Sequence, residues 1–167
     1  VLNVGVICED CRFDHAVRAM ARAGFQHAGQ TVNSAEVIWV HESIFDYFKL
    51  ALKDFVSDQV TIGSLDSAET TLTLQRAQTI QELVDDAVQR GAELVLGGST
   101  APDLGPSFYE PTILARVPQD AMICERELHG PLIYLQPFQD LTEVSRFLGT
   151  SRHSYCIYLF TESEFMM

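Results

Sequence analysis

Apolar and polar positions along this chain switch between two repeats, and the switches lay out its elements. Val4-Gly5-Val6-Ile7-Cys8 is a short apolar run rich in β-branched residues, which reads as a buried strand. From Phe13 the repeat lengthens. Phe13, Ala16, Val17, Met20 and Gly24 share one helical face, with Arg18 and Arg22 opposite. Asp10 stands where it can cap that helix, and glycine relaxes the backbone between Gly24 and Gly29. Val37-Ile38-Trp39-Val40 is a second strand. Ile44, Tyr47, Phe48, Ala51, Leu52 and Phe55 mark a second helix with Ser43 as its expected cap, and residues 57–71 read as a polar connection. Ala77, Ile80, Val84, Ala87 and Val88 carry a third helix from near Leu74 to Gly91. A strand over Glu93–Leu96 follows, closed by Gly97-Gly98. After a surface loop over residues 99–107, Phe108–Val117 is expected to be extended, interrupted by Pro111. Leu132–Leu135 is a strand, Leu141–Leu148 a helix and Cys156–Phe160 a last strand.

Strands alternating with helices imply parallel crossovers, hence a three-layer α/β domain with a mainly parallel sheet. Val6, Ile38, Val95, Ile133 and Leu159 are expected in strands and largely buried. The 167 residues form one domain, a size that buries roughly two-thirds of the unfolded surface. A strand that starts at the first residues, and a new element that starts near Thr161–Glu164, give the expectation that residues 1–167 are part of a longer polypeptide.

Composition narrows the partners. Hydrophobic residues are 47% and charged residues 20% of the chain, the balance of a globular domain. No apolar run is long enough to span a bilayer, and the start lacks the basic segment of a signal peptide. The net charge is -12, with 11 Lys+Arg against 23 Asp+Glu, and the sequence has no cluster of cations such as nucleic-acid binding needs. The expected partners are therefore neither nucleic acid nor membrane. Cys8-Glu9-Asp10-Cys11 has the C-x-x-C spacing of zinc or redox sites. No second pair or paired histidines follow, so no metal is expected, and Cys8 reads as a core thiol. A reducing compartment is the simpler inference from these cysteines, and a cytoplasmic location is the expectation.

Several segments together resemble the aldehyde dehydrogenase family. Phe25-Gln26-His27-Ala28-Gly29-Gln30-Thr31-Val32 is similar to its nucleophile loop, where the pattern runs Gly-Gln-x-Cys. Cys8–Val17 resembles the acidic entry into the preceding helix, and His41-Glu42-Ser43-Ile44-Phe45-Asp46-Tyr47-Phe48 the strand-to-helix junction after the loop. Arg90-Gly91-Ala92-Glu93 through Gly97-Gly98, then Phe108-Tyr109-Glu110-Pro111-Thr112-Ile113-Leu114, resemble its Gly-Ala…Gly-Gly and Pro-Thr segments. Glu127-Leu128-His129-Gly130-Pro131 is similar to its Glu-x-Phe-Gly-Pro motif, and Tyr158-Leu159-Phe160-Thr161 to its Val-Phe-Thr strand. Each motif alone is weak, but their order and spacing cover nearly the whole chain.

The resemblance implies oxidation of an aldehyde to an acid with NAD or NADP. A cysteine thiolate attacks, an oxyanion is stabilised, hydride leaves, and a glutamate activates water. A thiolate suits the attack because it is intrinsically nucleophilic. Val32, at the nucleophile position, offers no lone pair, and by analogy with nucleophile deletions the loss is on the order of 10⁶-fold. The resemblance places the general-base glutamate, the oxyanion asparagine and the nucleotide-binding half ahead of Val1. It implies that Glu127 meets the nicotinamide ribose, while His129 replaces the aromatic residue packed near the nicotinamide. Cofactor binding by this chain alone is not expected.

Other readings stand beside these. Cys124, five residues before His129, could be a displaced nucleophile, although Met122-Ile123-Cys124 reads as a buried segment; Cys156 sits inside a strand. His27 and His129 flank the two site-forming motifs. Gly29 and Gln30 are explained without catalysis by a glycine conformation and a capping amide. The function expected is a non-catalytic aldehyde dehydrogenase-like domain with a structural, assembly or regulatory role. The alternative is part of an active aldehyde oxidoreductase whose cysteine and cofactor domain lie elsewhere. The partner in either case is the remainder of the polypeptide or another subunit, with a homo-oligomer left open.

Overall fold

The computed structural model describes residues 2–60, 74–101, 103–105, 107–150 and 155–163. In chain order these form β1 (Val4–Ile7), α1 (Phe13–Phe25), β2 (Val37–His41), α2 (Phe45–Gln59), α3 (Leu74–Gln89), β3 (Glu93–Leu96), β4 (Thr112–Ala115), β5 (Leu132–Phe138), α4 (Leu141–Thr150) and β6 (Ile157–Phe160). Residues 61–73, which take in the expected connection from residue 61 onward, and Pro102 and Pro106 in the expected loop lie outside the described residues.

The strands form one sheet in the order β3-β4-β5-β2-β1-β6. Pairings from β4 across to β6 are parallel, and only β3 runs antiparallel to its neighbour. Side chains alternate across the sheet because a strand repeats every two residues. Val37, Trp39, Leu132 and Tyr134 face one core with Ala77, Ile80, Leu83 and Val84 of α3 and Val144 of α4. Ile38, Val40, Ile133 and Leu135 face the other, with Ala16, Val17 and Met20 of α1 and Phe45, Phe48 and Leu52 of α2. This is the expected three-layer α/β arrangement. A parallel sheet covered on both faces reads as continuous apolar runs, which is why Val37–Val40 shows no polar alternation.

The edges depart from expectation. Val6, Ile38 and Ile133 are buried in strands, but Val95 is half-buried and Leu159 is 44% exposed. β3 and β6 are the outer strands, paired on one side only. On β6, Tyr158 and Phe160 pack toward the α1–α2 core, which turns Ile157 and Leu159 to the other face. Phe108–Val117 is a strand only over Thr112–Ala115, with one isolated bridge from Thr100 to Tyr109. β5 runs past Leu135 to Phe138 and includes Pro137 opposite Val40. Its pairing with β4 stops at Leu135, so a proline without an amide donor is tolerated there.

The expected caps are also reassigned. Asp10 accepts hydrogen bonds from the Thr161 hydroxyl (3.0 Å) and the Glu162 amide (3.2 Å), because the turn after β1 lies beside the end of β6. α1 therefore starts without a side-chain cap. Ser43 does not cap α2; its amide donates to His41 Nδ1 in a 3₁₀ turn over Glu42–Ile44. α2 continues to Gln59, three residues into the segment expected to be loop. α4 does carry a capping box: Glu143 accepts from the Gln139 and Asp140 amides, and Asp140 from the Thr142 amide. Among the described residues no helix is long and apolar enough to cross a membrane.

Candidate functional site

α1 ends in a turn that forces side-chain-bearing residues into left-handed backbone. Over the 3₁₀ turn Gln26–Gly29, His27 has φ 53° and Ala28 φ 55°, followed by Gly29 at φ 67°. The Gln30 side-chain amide donates back to the His27 carbonyl at 3.3 Å, closing the turn. The Thr31 and Ser34 hydroxyls are 2.7 Å apart, and the Thr31 amide donates to Ser34 Oγ. Val32 sits at the tip of this second turn with 68% of its surface exposed.

The segment entering β5 meets that turn backbone to backbone. A Cβ on Gly29 would overlap the Gly130 carbonyl, and a Cβ on Gly130 would overlap Ile80 of α3. Glycine at both positions lets the α1 turn, the β5 entry and α3 converge. Just before Gly130, His129 has φ 42°, and its Nε2 lies 3.0 Å from a Glu127 carboxylate oxygen. Three of the four non-glycine residues with positive φ among the described residues lie in these two facing loops. Left-handed backbone costs such residues roughly 1–2 kcal/mol each.

Beneath the loops lies a buried polar pair that the hydrophobic pattern does not single out. Asn3 Nδ2 donates to the Val32 carbonyl (2.8 Å) and the Ser34 carbonyl (2.9 Å), and Asn3 Oδ1 accepts from the Cys156 amide. The Glu36 carboxylate accepts from the Asn3 amide (3.1 Å) and the Leu128 amide (2.8 Å). Burial pushes the Glu36 carboxyl above its usual range, against the pull of the two amides and of His129. The signal in the sequence is a polar residue directly beside an apolar strand: Asn3 before Val4, and Glu36 between Ala35 and Val37.

The cysteines have other surroundings. Cys124 Sγ contacts the Pro118 carbonyl at 3.5 Å, and burial raises its thiol, so the thiolate is disfavoured. His129 pairs with Glu127, which gives the rival reading of a Cys124–His129 couple no support. Burial, then the Asp10 charge, raises the Cys8 thiol; Cys11 is raised by burial and by Cys8. Among the described residues no group of three His, Cys, Asp or Glu side chains is placed to hold a metal ion.

A sequence model of the aldehyde dehydrogenase family matches residues 2–166. The chain belongs to the aldehyde dehydrogenase family. It is 30% identical over 161 residues to the succinate-semialdehyde dehydrogenase [NADP(+)] of Saccharomyces cerevisiae, covering 95% of this chain and 32% of the relative. It is 30% identical over 166 residues to the D-glyceraldehyde dehydrogenase (NADP(+)) of Picrophilus torridus, covering 94% and 33%. Its fold is similar to that of an E. coli NADP-dependent enzyme, with a TM-score of 0.92, 27% identity and coverage of 98% and 34%. A betaine aldehyde dehydrogenase from Staphylococcus aureus, solved with NAD+, gives a TM-score of 0.87 at 26% identity, covering 96% and 33%. The chain thus spans about a third of the length of the relatives it matches. Members of the aldehyde dehydrogenase family oxidise aldehydes with NAD or NADP, and this chain carries the α/β scaffold with Gly29, Gln30, Glu127 and Gly130 at two facing loops.

Proposed function

We propose that this is a non-catalytic aldehyde dehydrogenase-family domain with a structural, assembly or regulatory role in a larger protein. The observation that carries the reading is Val32. The family resemblance puts it at the nucleophile position, and its isopropyl group stands exposed three residues after Gly29, the residue that packs against Gly130. A branched alkyl group cannot form the covalent adduct from which hydride would leave. Cys124 is a poor substitute, because its thiol is raised by burial and its sulfur lies against the Pro118 carbonyl.

Cofactor capture by this chain alone has little support. Glu127, about two-fifths exposed beside His129, is suited to accept a ribose hydroxyl. The described strand-to-helix turns are a poor cradle for pyrophosphate, however. They carry Glu9 and Asp10 after β1, Glu42 after β2, and Asp140 and Glu143 after β5. Anions bind helix N-termini through free amides, whereas these carboxylates repel phosphate. The residues present fit the ribose end of a nicotinamide cofactor and not the whole of it. The partners proposed are accordingly the remainder of the same polypeptide or another subunit.

The test is an assay of the purified chain with several aldehydes and both cofactors, following reduced nicotinamide. No turnover is expected. Turnover that persists in Cys124→Ala and Cys156→Ala would defeat the reading. The alternative, an active oxidoreductase whose cysteine lies elsewhere, is favoured if the longer protein oxidises aldehydes while this chain does not.

A further inference from the structure

The N-terminal ends of three adjacent parallel strands converge at one carboxylate. Sheet order places β2 between β1 and β5, and all three run in the same direction. Glu36 immediately precedes the middle strand, Asn3 immediately precedes β1, and Leu128 lies in the segment leading into β5. Each Glu36 oxygen accepts a different amide: Oε2 from Asn3, 33 residues away in sequence, and Oε1 from Leu128, 92 residues away. The Asn3 side chain then holds the Val32 carbonyl, while Leu128 lies between Glu127 and His129. The two facing loops are therefore joined by a path of three hydrogen bonds, with Glu36 in the middle.

We propose that Glu36 is a positioning residue: its buried carboxylate, held between the Asn3 and Leu128 amides, sets the Val32-bearing turn against the Glu127–His129 segment and weakens its hold on one of them when it takes up a proton. An ionised carboxylate matches two donors with two acceptor oxygens. A proton on either oxygen removes the charge and one lone pair, so that oxygen accepts the amide it faces more weakly, and at 5% exposure water cannot readily replace the weakened acceptor. The titratable groups facing Glu36 are Glu127 and His129 from the β5 entry and Tyr134 from β5 itself. Burial makes protonation easier than on a surface glutamate, with the two amides and His129 opposing. The inference rests on the contact between the two loops and holds whether or not the domain turns over aldehydes.

Amide hydrogen exchange of the purified chain, read residue by residue by NMR as protection factors, tests this over the acidic range in which circular dichroism reports a native fold. On acidification, protection at Leu128 or Asn3 should fall about tenfold or more, while Ile38 and Leu135 keep theirs. Glu36→Gln presents one carbonyl oxygen and one NH2. It should show low protection at one of the two amides at every pH, no acid-dependent fall, and a weakened nuclear Overhauser contact between Gly29 and Gly130. Three results would overturn the proposal: protection indifferent to pH in the parent chain, a fall that persists in Glu36→Gln, or Ile38 and Leu135 falling in parallel. An unchanged Gly29–Gly130 contact in Glu36→Gln would overturn it equally. If Glu36→Gln does not fold, the titration of the parent chain, read at Leu128 and Asn3 against Ile38 and Leu135, decides alone.

Discussion

Gly29 and Gly130 touch through their backbones, so that a single methyl group on Gly29 would overlap the Gly130 carbonyl oxygen. This contact joins the turn that ends α1 to the entry of β5, and Ile80 of α3 packs against the far side of Gly130. Residues from three separate parts of the chain are thereby fixed at one end of the sheet. Neither glycine can be replaced without moving one of its neighbours.

Gly29→Ala should therefore destabilise the fold by about 2–4 kcal/mol, combining left-handed backbone strain with overpacking. Gly91 separates the two contributions. It has φ 108°, but a Cβ there would meet nothing within 4 Å, so Gly91→Ala carries backbone strain alone. Its cost should be about 1–2 kcal/mol. Urea unfolding of both variants measures the difference, and equal costs would show that the Gly29–Gly130 contact yields easily.

The layers of the fold can be weighed in the same way. Phe48 is fully buried on α2 and meets Phe13 edge-on with ring centroids 5.9 Å apart. Phe48→Ala should cost about 3–5 kcal/mol. Leu159→Ala, on the exposed face of β6, should cost less than about 1 kcal/mol in this chain. A larger loss at Leu159 would mean that its side of β6 is covered in solution.

These contrasts mark what the sequence could convey. Val37–Val40 and Ile133–Leu135 announce themselves as strands because both sheet faces are covered there, and the periodicity of α1 follows from its single buried stripe. Val95 and Leu159 carry the same apolar letters, yet their exposure depends on sheet order, which local pattern does not encode. Asp10 is chemically fit to cap α1, but the end of β6 offers it Thr161 and Glu162 at 151 and 152 residues' separation. At the candidate site, the turn and the Glu127–Pro131 segment were legible as motifs. Their bridge through Asn3 and Glu36 was not, because nothing local to Glu36 reveals that its partner is Leu128.

The pH dependence of stability has a legible contribution from Asp86. Its carboxylate accepts from Arg90 Nε at 2.7 Å and from the Met122 amide at 2.8 Å, tying α3 to the turn before Glu127. Those two hydrogen bonds, Arg90 first, hold its carboxyl below the ordinary value of 3.8. A depressed carboxyl stabilises the fold above that ordinary value and loses its contribution as pH falls through the folded-state value. Asp86→Asn should lower the melting temperature at neutral pH and flatten the acid limb of its pH profile. A variant whose melting temperature drops equally at every pH would assign Asp86 a role independent of its charge.

Val32→Cys separates scaffold from chemistry. At 68% exposure the side chain is open to solvent, and the turn that bears it is held by Asn3 through the Val32 carbonyl rather than through the side chain. The substitution should therefore be accommodated with a stability change within about 1 kcal/mol. The new thiol should react with a mild alkylating reagent, visible as one added mass relative to the parent by mass spectrometry. Aldehyde oxidation should stay undetectable with either NAD or NADP. A nucleophile alone supplies neither the activated water nor the pyrophosphate contacts, and acidic residues occupy the described strand-to-helix turns where phosphate would seek amides. An unreactive thiol would mean that the turn is covered in solution. Measurable turnover would mean that the chain binds the cofactor and activates water by itself, leaving the missing thiol as the whole of its deficiency.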